Sequence, residues 1–469
     1  MAGGAYCPLS PRDPPHRLHS LLDDENILVN MDSVLANNDI QNNINFDPLS
    51  SVEVALENIA YIIFTSGSTG VPKAVHVRHK NFTQFLYSLS YTDVINKNDT
   101  ILQMARCSFD VHLQDIMGTL ISGGTLVMLH PSGILQFDYL LTVMNDKQTT
   151  SFTTVPSLLN GFFTFLRQKT HRNNLKYFRS VAIGGEPCSS KLVNLIYSLL
   201  TNSCQLWNLY GPAETTIDST CHLLNSRKLS KNIPIGRPLP NYHHLVVDKY
   251  LQSVLINQEG ELLVGGVGVF AGYLGRDDLT SKGMVYINDV LFYRTGDLVK
   301  IDHHNLIRYQ GRKDFQIKLH GQRIELGEIE RCLLSISSIS ACVVIKCGED
   351  HLLAYVQSSV INEKELRDYC QSHLPPHMIP SRFIILDKLP LNANGKVDRK
   401  RLPAPDFISL SSVNLNDVNR LLEPTSEIES IIHRIWCDLL KQKQISINTN
   451  IFTIGGHSLI IMQLLHRYK

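Results

Sequence analysis

The sequence predicts an α/β protein: a large multi-layer α/β body, a smaller α+β unit after it, and part of an all-α unit at the end. Three observations carry this reading. Between Ile59 and Arg308, short β-branched or aromatic runs such as AYIIFTSG, TLVMLH, SVAIGG and ELLVGG recur with amphipathic stretches between several of them. Strands alternating with helices build α/β layers rather than a sandwich. After Gly311 the pattern tightens into a strand FQIKL, a helix LGEIERCLLSI and a strand ACVVIKC. Finally, Ile428, Ile431, Ile432, Ile435, Trp436, Leu439 and Leu440 fall at helical intervals and form one apolar stripe that needs partner helices.

Taken in order, the chain divides into residues 1–311, 312–402, 403–422 and 423–469. The first is the large body and the second the compact strand–helix unit. The third, PAPDFISLSSVNLNDV at its heart, is rich in Pro, Ser, Asn and Asp and reads as a linker. The fourth opens with Thr425 or Ser426 as helix cap, and Ser426 with Glu429 has capping-box spacing. A second helix is expected near Ser458. A length of 469 residues fits roughly two to four domains. A hydrophobic fraction of 43% with 19% charged residues is that of a globular protein. The net charge of +1 makes no electrostatic case for nucleic acid or an anionic membrane, and Arg399-Lys400-Arg401 reads as solvated surface. No run reaches the roughly 18 apolar residues of a membrane span, and the start has no signal-peptide core. Ten Cys lie scattered without CxxC pairs, as reduced thiols do, so the expected compartment is the cytoplasm.

FTSGSTGVPK, Phe64 to Lys73, follows an apolar strand. Alternating glycine and hydroxyl residues leave backbone N–H groups free to face phosphate oxygens, and Lys73 adds charge. A P-loop NTPase would need GxxxxGK[ST], and no Gly-Lys-Ser/Thr occurs in the chain. The string resembles the signature loop of the adenylate-forming superfamily, which includes acyl-CoA synthetases, luciferases and nonribosomal peptide synthetase adenylation domains. Phe64 stands where that loop has Tyr, and Ala74 where it ends in Gly. The resemblance implies that Thr65, Ser66, Gly67, Ser68, Thr69, Gly70 and Lys73 close over the phosphates of ATP.

Further strings of the family follow in the family's order: AGGAYCPLSP, CSFDVHLQDI, NLYGPAETT, GELLVGGVGVFAGYL, YRTGDL, GRKDFQIKLHGQRIELGEIE and NGKVDR. Joining a carboxylate to ATP brings two anions together, so catalysis is largely positioning and electrostatic stabilisation. The resemblance assigns Tyr210 to adenine stacking beside Asn208 and Gly211, Glu214 to a magnesium ion bridging phosphates, and Asp297 to the ribose hydroxyls. Arg312, Tyr309, Gly185 and Glu186 also line the nucleotide. Lys396 is the mobile catalytic lysine, a compact ammonium bridging substrate carboxylate and phosphate. Singly, Asp297 reads as a turn residue, Lys396 as a solvent-exposed one and Glu214 as a helix-start carboxylate; the ordered set carries the roles. The family commonly has Thr where Ala213 stands. That hydroxyl is worth ~1.5–3 kcal/mol if fully used on a charged group.

Superfamily membership leaves the acid open. Asp110 matches the aspartate that pairs with the α-ammonium in peptide-synthetase members, whereas an acyl substrate would leave a buried carboxylate unpaired. By resemblance the pocket comprises Asp110, Val111, Gln114, Thr154, Ala182, Gly184, Leu209, Ile217, Asp218 and Lys396. The second acid, Asp218, suits a basic or polar amino acid, ornithine- or lysine-like, while Gln114 with Val111 also matches some proline pockets. Two other readings stand open: an acyl- or aryl-CoA ligase, and a non-catalytic nucleotide-binding remnant.

IGGHSL, Ile454 to Leu459, resembles the phosphopantetheine attachment site of carrier domains, with Ser458 as the acceptor. By itself Ser458 would read as a helix cap. The resemblance implies 4'-phosphopantetheine carried covalently at Ser458, and a thioester formed from the aminoacyl adenylate. The implied partners are a carrier domain in cis or trans, a phosphopantetheinyl transferase and other modules of a secondary-metabolite synthetase. Asp314 matches the hinge about which the small domain swings, with Lys318 and Gly321 on the loop that enters the site. Set against the family pattern, residues are missing ahead of AGGAYCPL and the carrier is partial.

Overall fold

The computed structural model describes residues 4–9, 13–14, 17, 53–65, 72–130, 133–168, 175–201, 203–224, 232–313, 316–319, 322–347, 351–390, 397, 399–403, 423–440, 445–447, 464 and 467–468. It is an α/β structure. The first strands, β1 (Ile59–Thr65) and β2 (Lys73–Arg78), pair antiparallel with Thr65 opposite Lys73. Helix α1 (His79–Ser90) follows, with Phe82, Phe85, Leu86 and Leu89 buried. Then comes a seven-stranded sheet built from β3 (Thr100–Leu102), β4 (Thr125–Val127), β5 (Ser151–Thr154), β6 (Ser180–Ile183), β7 (Gln205–Tyr210), β8 (Thr220–Leu223) and β9 (Arg237–Pro238). Its order is β4-β3-β5-β6-β7-β8-β9, parallel from β4 to β7 and antiparallel beyond.

The connections in this sheet are helical: α2, formed by Val111–Leu113, a wide π turn Gln114–Gly118 and Thr119–Ser122; α3 (Phe137–Asp146); α4 (Pro156–Gln168); and α5 (Ser190–Tyr197). Their apolar faces pack Phe137, Leu140, Phe162, Phe163 and Ile196 against Phe152, Val181, Ile183 and Leu206 of the sheet. The two-residue period of a strand sends Ala182, Trp207 and Leu209 to a second core with Tyr61, Phe85, Val75 and Ile217. A parallel sheet is thus covered on both faces, as its continuous apolar runs require.

The second sheet of the large body is antiparallel: β10 (Tyr242–Val247), β11 (Glu259–Gly266), β13 (Met284–Ile287), β14 (Val290–Ile301) and β15 (Ile307–Arg312), with β14 pairing both β13 and β15. Between them β12 (Gly272–Tyr273) leaves to pair with β2, and α6 (Asp277–Gly283) follows it. After Arg312 the hairpin β16 (Gln316–Leu319) and β17 (Gln322–Glu325) leads into α7 (Leu326–Leu334), β18 (Ala341–Cys347), β19 (His351–Gln357), α8 (Glu363–His373) and β20 (Arg382–Leu386). These have their own core, with Ile324, Ile329, Leu333, Val344, Ala354, Leu366 and Cys370 at its centre. The strand–helix–strand pattern read after Gly311 is therefore present.

Helix α9 (Glu427–Leu440) carries the expected capping box: Ser426 Oγ accepts from the Glu429 amide at 3.2 Å and Glu429 Oε2 from the Ser426 amide at 3.1 Å. The expected second helix near Ser458 lies outside the described residues. No helix of the described residues is long and apolar enough to cross a membrane, and all ten Cys are unbridged.

Candidate active site

Three parallel strands end at one place. Thr154 closes β5, Gly184 and Gly185 follow β6, and Tyr210 closes β7, with Thr154 opposite Ile183 and Ile183 opposite Asn208 in register. The carboxyl ends of parallel strands are where open α/β sheets bind ligands. At Gly185, φ is +80°, a conformation that lets the chain turn off the strand without a Cβ penalty. The turn after β7 is tighter still. A Cβ on Gly211 would lie 2.3 Å from the Ile217 carbonyl, so glycine is required there. A short turn Ala213–Thr215 comes next, and then Thr216 and Ile217 at φ 61° and 66°. Two β-branched residues in the left-handed region cost about 1–3 kcal/mol each. Three bonds to neighbouring strands and loops hold them: Thr216 Oγ1 donates to the Gly268 carbonyl at 2.7 Å, the Phe270 amide to the Glu214 carbonyl at 3.0 Å, and the Tyr242 hydroxyl to the Thr215 carbonyl at 3.2 Å.

This strained turn faces Asp110, which heads α2. Burial, and next the negative charge of Glu214, push the Asp110 carboxyl up to about 6, while the amides of Ile217 and Val111 pull it back. Its Oδ2 is buried and has no hydrogen-bond partner. One helical turn on, Gln114 donates from Nε2 to Thr153 Oγ1 at 3.4 Å, and its Oε1 is likewise buried and unpartnered. Residues four apart share a helix face, so the two residues with orphaned acceptors lie on one face of α2. Each costs about 1–3 kcal/mol unless a donor arrives.

The rest of the expected pocket surrounds them. Ala182, Leu209 and Ile217 share one apolar cluster, with Val111 packed on it. A Cβ on Gly184 would lie 3.8 Å from Leu209 Cβ and 4.0 Å from Asp218 Oδ1, which brings the second acid to the same wall. Asp218 is buried, and its charge helps to raise the Tyr242 hydroxyl after burial does. Thr154 stands half-buried at the end of β5.

Glu214 is fully buried. Its Oε1 accepts from the Tyr273 hydroxyl at 2.7 Å, and that hydroxyl lies 3.3 Å from the Tyr293 hydroxyl. Lys73, itself buried, holds its ammonium 4.9 Å over the Tyr273 ring, near enough for a cation–π attraction. The register places both ends of the expected phosphate loop, Thr65 and Lys73, at the mouth of the β1–β2 pair. Thr65 Oγ1 is buried there without a partner. Ser66, Gly67, Ser68, Thr69 and Gly70 lie outside the described residues. Among the described residues no three His, Cys, Asp or Glu side chains converge to hold a metal. A divalent ion would rest on Glu214 and take its other ligands from water and phosphate oxygens, the manner in which magnesium binds.

At the end expected to take the nucleotide, the Tyr210 hydroxyl donates to Asp297 Oδ2, and Arg312 Nη1 donates to Asp297 Oδ1 at 2.9 Å and to the Thr295 carbonyl at 3.0 Å. Burial first, then the Asp297 charge, keep the Tyr210 hydroxyl well above its usual range. Tyr210, Asp297 and Arg312 therefore form one network. Asn208 uses its amide on the Pro234 carbonyl at 2.7 Å, and Tyr309 is half-buried on β15. Glu186 takes the Ser157 amide and hydroxyl, both at 2.9 Å, at the N-terminus of α4. Lys396, Asp314 and Ser458 lie outside the described residues.

Four residues escaped the sequence reading. Tyr273 and Tyr293 sit inside family strings, but their meeting with Glu214 depends on β12 pairing with β2. Tyr61 of β1 is fully buried with an unpartnered hydroxyl, raised well above its usual range by burial and then by the Asp110 charge. Asp115, pushed up to about 7 by burial, accepts from the Met104 and Ala105 amides at 3.2 Å each.

Residues 1–274 match the AMP-binding enzyme family, and residues 328–396 match the AMP-binding enzyme C-terminal domain. Over 99% of its length the chain is 34% identical to tyrocidine synthase 3 of Brevibacillus parabrevis, and it spans only 7% of that protein. It is 34% identical to zwittermicin A synthase ZmaJ of Bacillus cereus, over 86% of this chain and 81% of that one. Among solved structures it is similar to a holo nonribosomal peptide synthetase protein containing adenylation and PCP domains, bound to a vinylsulfonamide inhibitor. The TM-score there is 0.71 at 26% identity, over 90% of this chain and 71% of that one. The Vibrio cholerae adenylation domain AlmE, in complex with glycyl-adenosine-5'-phosphate, shares the fold at a TM-score of 0.72 and 23% identity, over 84% of this chain and 83% of that one.

Proposed function

The chain belongs to the AMP-binding enzyme family, and from that premise we propose that it activates an amino acid with ATP, forming aminoacyl-AMP and pyrophosphate for peptide synthesis. The observation that carries this is the pair of buried, unpartnered acceptors Asp110 Oδ2 and Gln114 Oε1. Acceptors alone call for a donor, and a carboxylate among them calls for a cationic one. An α-ammonium supplies N–H donors and charge together, whereas an acyl or aryl acid supplies neither.

In the reaction a carboxylate oxygen of the amino acid attacks the α-phosphorus, and the bond to pyrophosphate breaks. Asp110 fixes the ammonium end, so the carboxylate is held at one distance from the nucleotide. Tyr210, Asp297 and Arg312 hold adenosine by face and ribose edge. Lys73 and the loop after Thr65 draw charge off the phosphates. Magnesium held by Glu214 would neutralise the triphosphate and departing pyrophosphate. Lys396 bridges carboxylate and α-phosphate.

Ser458 would hold a phosphopantetheine arm, and the thiol of that arm would supply the acceptor that takes the aminoacyl group as a thioester and leaves AMP. Asp218 at the pocket wall favours a basic or polar side chain.

The test is ATP–pyrophosphate exchange across the common amino acids plus ornithine, with Lys396→Ala as control. Exchange driven by one or a few amino acids and lost in the control supports the proposal. No exchange from folded, ATP-binding protein overturns it.

A further inference from the structure

We propose that Tyr273 is a positioning residue that sets both charged groups at the phosphate end of the site: Glu214 through its hydroxyl and Lys73 through its ring face. This deepens the proposed function and rests on it. Glu214 is 0% exposed and Lys73 8%, so neither has bulk water to orient or neutralise it. The Tyr273 hydroxyl donates to Glu214 Oε1 at 2.7 Å. A bond from a neutral donor to a carboxylate is among the stronger kinds, and here it fixes one oxygen of the acid in place. The ring face of the same side chain lies 4.9 Å below the Lys73 ammonium.

Tyr273 cannot swing away from this post. Its ring meets Phe270 edge-on at 4.9 Å, its hydroxyl is backed by Tyr293 at 3.3 Å, and its strand is pinned to β2 by the Tyr273–Val75 pairing. The Leu274 amide donates to the Ala74 carbonyl at 3.0 Å, one residue past Lys73. One side chain thus ties the root of the phosphate loop to the acid that would hold the metal. Partners that orient a metal ligand typically change metal affinity by roughly 10–100-fold when removed.

Two substitutions separate the halves of the clamp. Tyr273→Phe keeps the ring under Lys73 and deletes the bond to Glu214; Tyr273→Leu deletes both. Calorimetry measures the affinity for ATP in magnesium and again in EDTA, with Glu214→Gln as reference and thermal midpoints to confirm folding. For Tyr273→Phe we expect magnesium-ATP affinity to fall roughly tenfold while metal-free ATP affinity holds. For Tyr273→Leu, metal-free affinity falls as well. Loss of the magnesium advantage in Glu214→Gln with full retention in Tyr273→Phe overturns the inference and leaves the proposed function standing. Equal losses for both forms of ATP in Tyr273→Phe also overturn it, since they mark a scaffold role. Wild-type protein without affinity for ATP sinks the proposed function itself.

Discussion

At the scale of single residues, Asp110 is where binding and stability oppose each other. Its carboxyl stands at about 6 in the fold against 3.8 for an ordinary Asp, with burial as the main cause. A carboxyl raised by folding contributes stability that is full below its unfolded value and is lost as pH climbs through about 6. Above that the ionised group destabilises the ligand-free protein by up to about 3 kcal/mol, at 1.36 kcal/mol for each pH unit between the unfolded and folded values. Asp110→Asn is therefore expected to raise the thermal midpoint of the ligand-free protein at pH 8, and to change it little near pH 4. In the proposed reaction the same substitution removes the partner of the ammonium. Amino-acid-dependent exchange is expected to lose kcat/KM by on the order of a hundredfold or more, since an uncompensated buried charge costs roughly 3–5 kcal/mol. In the wild type, kcat/KM for the amino acid should fall as pH drops below about 6, because on the proposed reading only ionised Asp110 recruits the cation. A midpoint that falls at pH 8 in Asp110→Asn would contradict this account. Ala213 is the other informative residue. Restoring a hydroxyl as Ala213→Thr should raise turnover by up to tenfold or so, the yield of a ~1.5 kcal/mol bond to a charged group. Unchanged exchange kinetics would show that the hydroxyl has no phosphate to reach.

At the scale of elements, the strained turn 213–217 is held from outside, by Tyr242 of β10 and by the loop between β11 and β12. A Cβ on Gly268 would sit 2.3 Å from the Tyr242 ring and 2.4 Å from the Thr215 carbonyl. Gly268→Ala is therefore expected to release the turn, withdraw the Ile217 amide from Asp110 and raise the KM for the amino acid, at a cost to stability of about 1–3 kcal/mol. A variant with wild-type KM and a lowered thermal midpoint would confine the loop to a structural role. The turn also marks how far the sequence could be read. The motif NLYGPAETT singles out Tyr210 and Glu214 through its resemblance to the family string. It gave no sign of positive φ at Thr216 and Ile217, since propensity argues against it there and only tertiary contacts impose it. The strands at AYIIFTSG, SVAIGG and ELLVGG were legible from their β-branched and aromatic runs, and the helix at Leu326 from the string LGEIERCLLSI between two such runs. The sheet order β10-β11-β14-β13 was not, because it joins residues far apart in the chain. Tyr273 went unread for the same reason: Gly-Tyr-Leu is an ordinary strand fragment until β12 is seen to pair with β2. The π turn at Gln114 was equally hidden, being one extra residue per turn in an otherwise helical pattern.

At the scale of the whole molecule, the chain carries separate cores: those around the two sheets of the large body, and that around Ile324, Val344 and Leu366. Separately cored units often unfold separately. Every described residue assigned to the nucleotide, from Thr65 to Arg312, precedes the small core in the chain. By resemblance Lys396 belongs with the later unit, and the C-terminal domain match at 328–396 is consistent with that. Binding stabilises only the unit that makes the contacts, by about 2.7 kcal/mol at a hundredfold excess over Kd. A calorimetric scan is therefore expected to show more than one transition, with ATP and magnesium moving the one that belongs to the large body. Lys396→Ala should leave that shift intact while exchange collapses if, as proposed, its ammonium acts on the reacting carboxylate and phosphate rather than on ground-state nucleotide binding. If the substitution abolished the shift along with the exchange, Lys396 would be holding ATP in the ground state. The small unit would then be part of the binding site from the outset rather than a group brought in for the reaction.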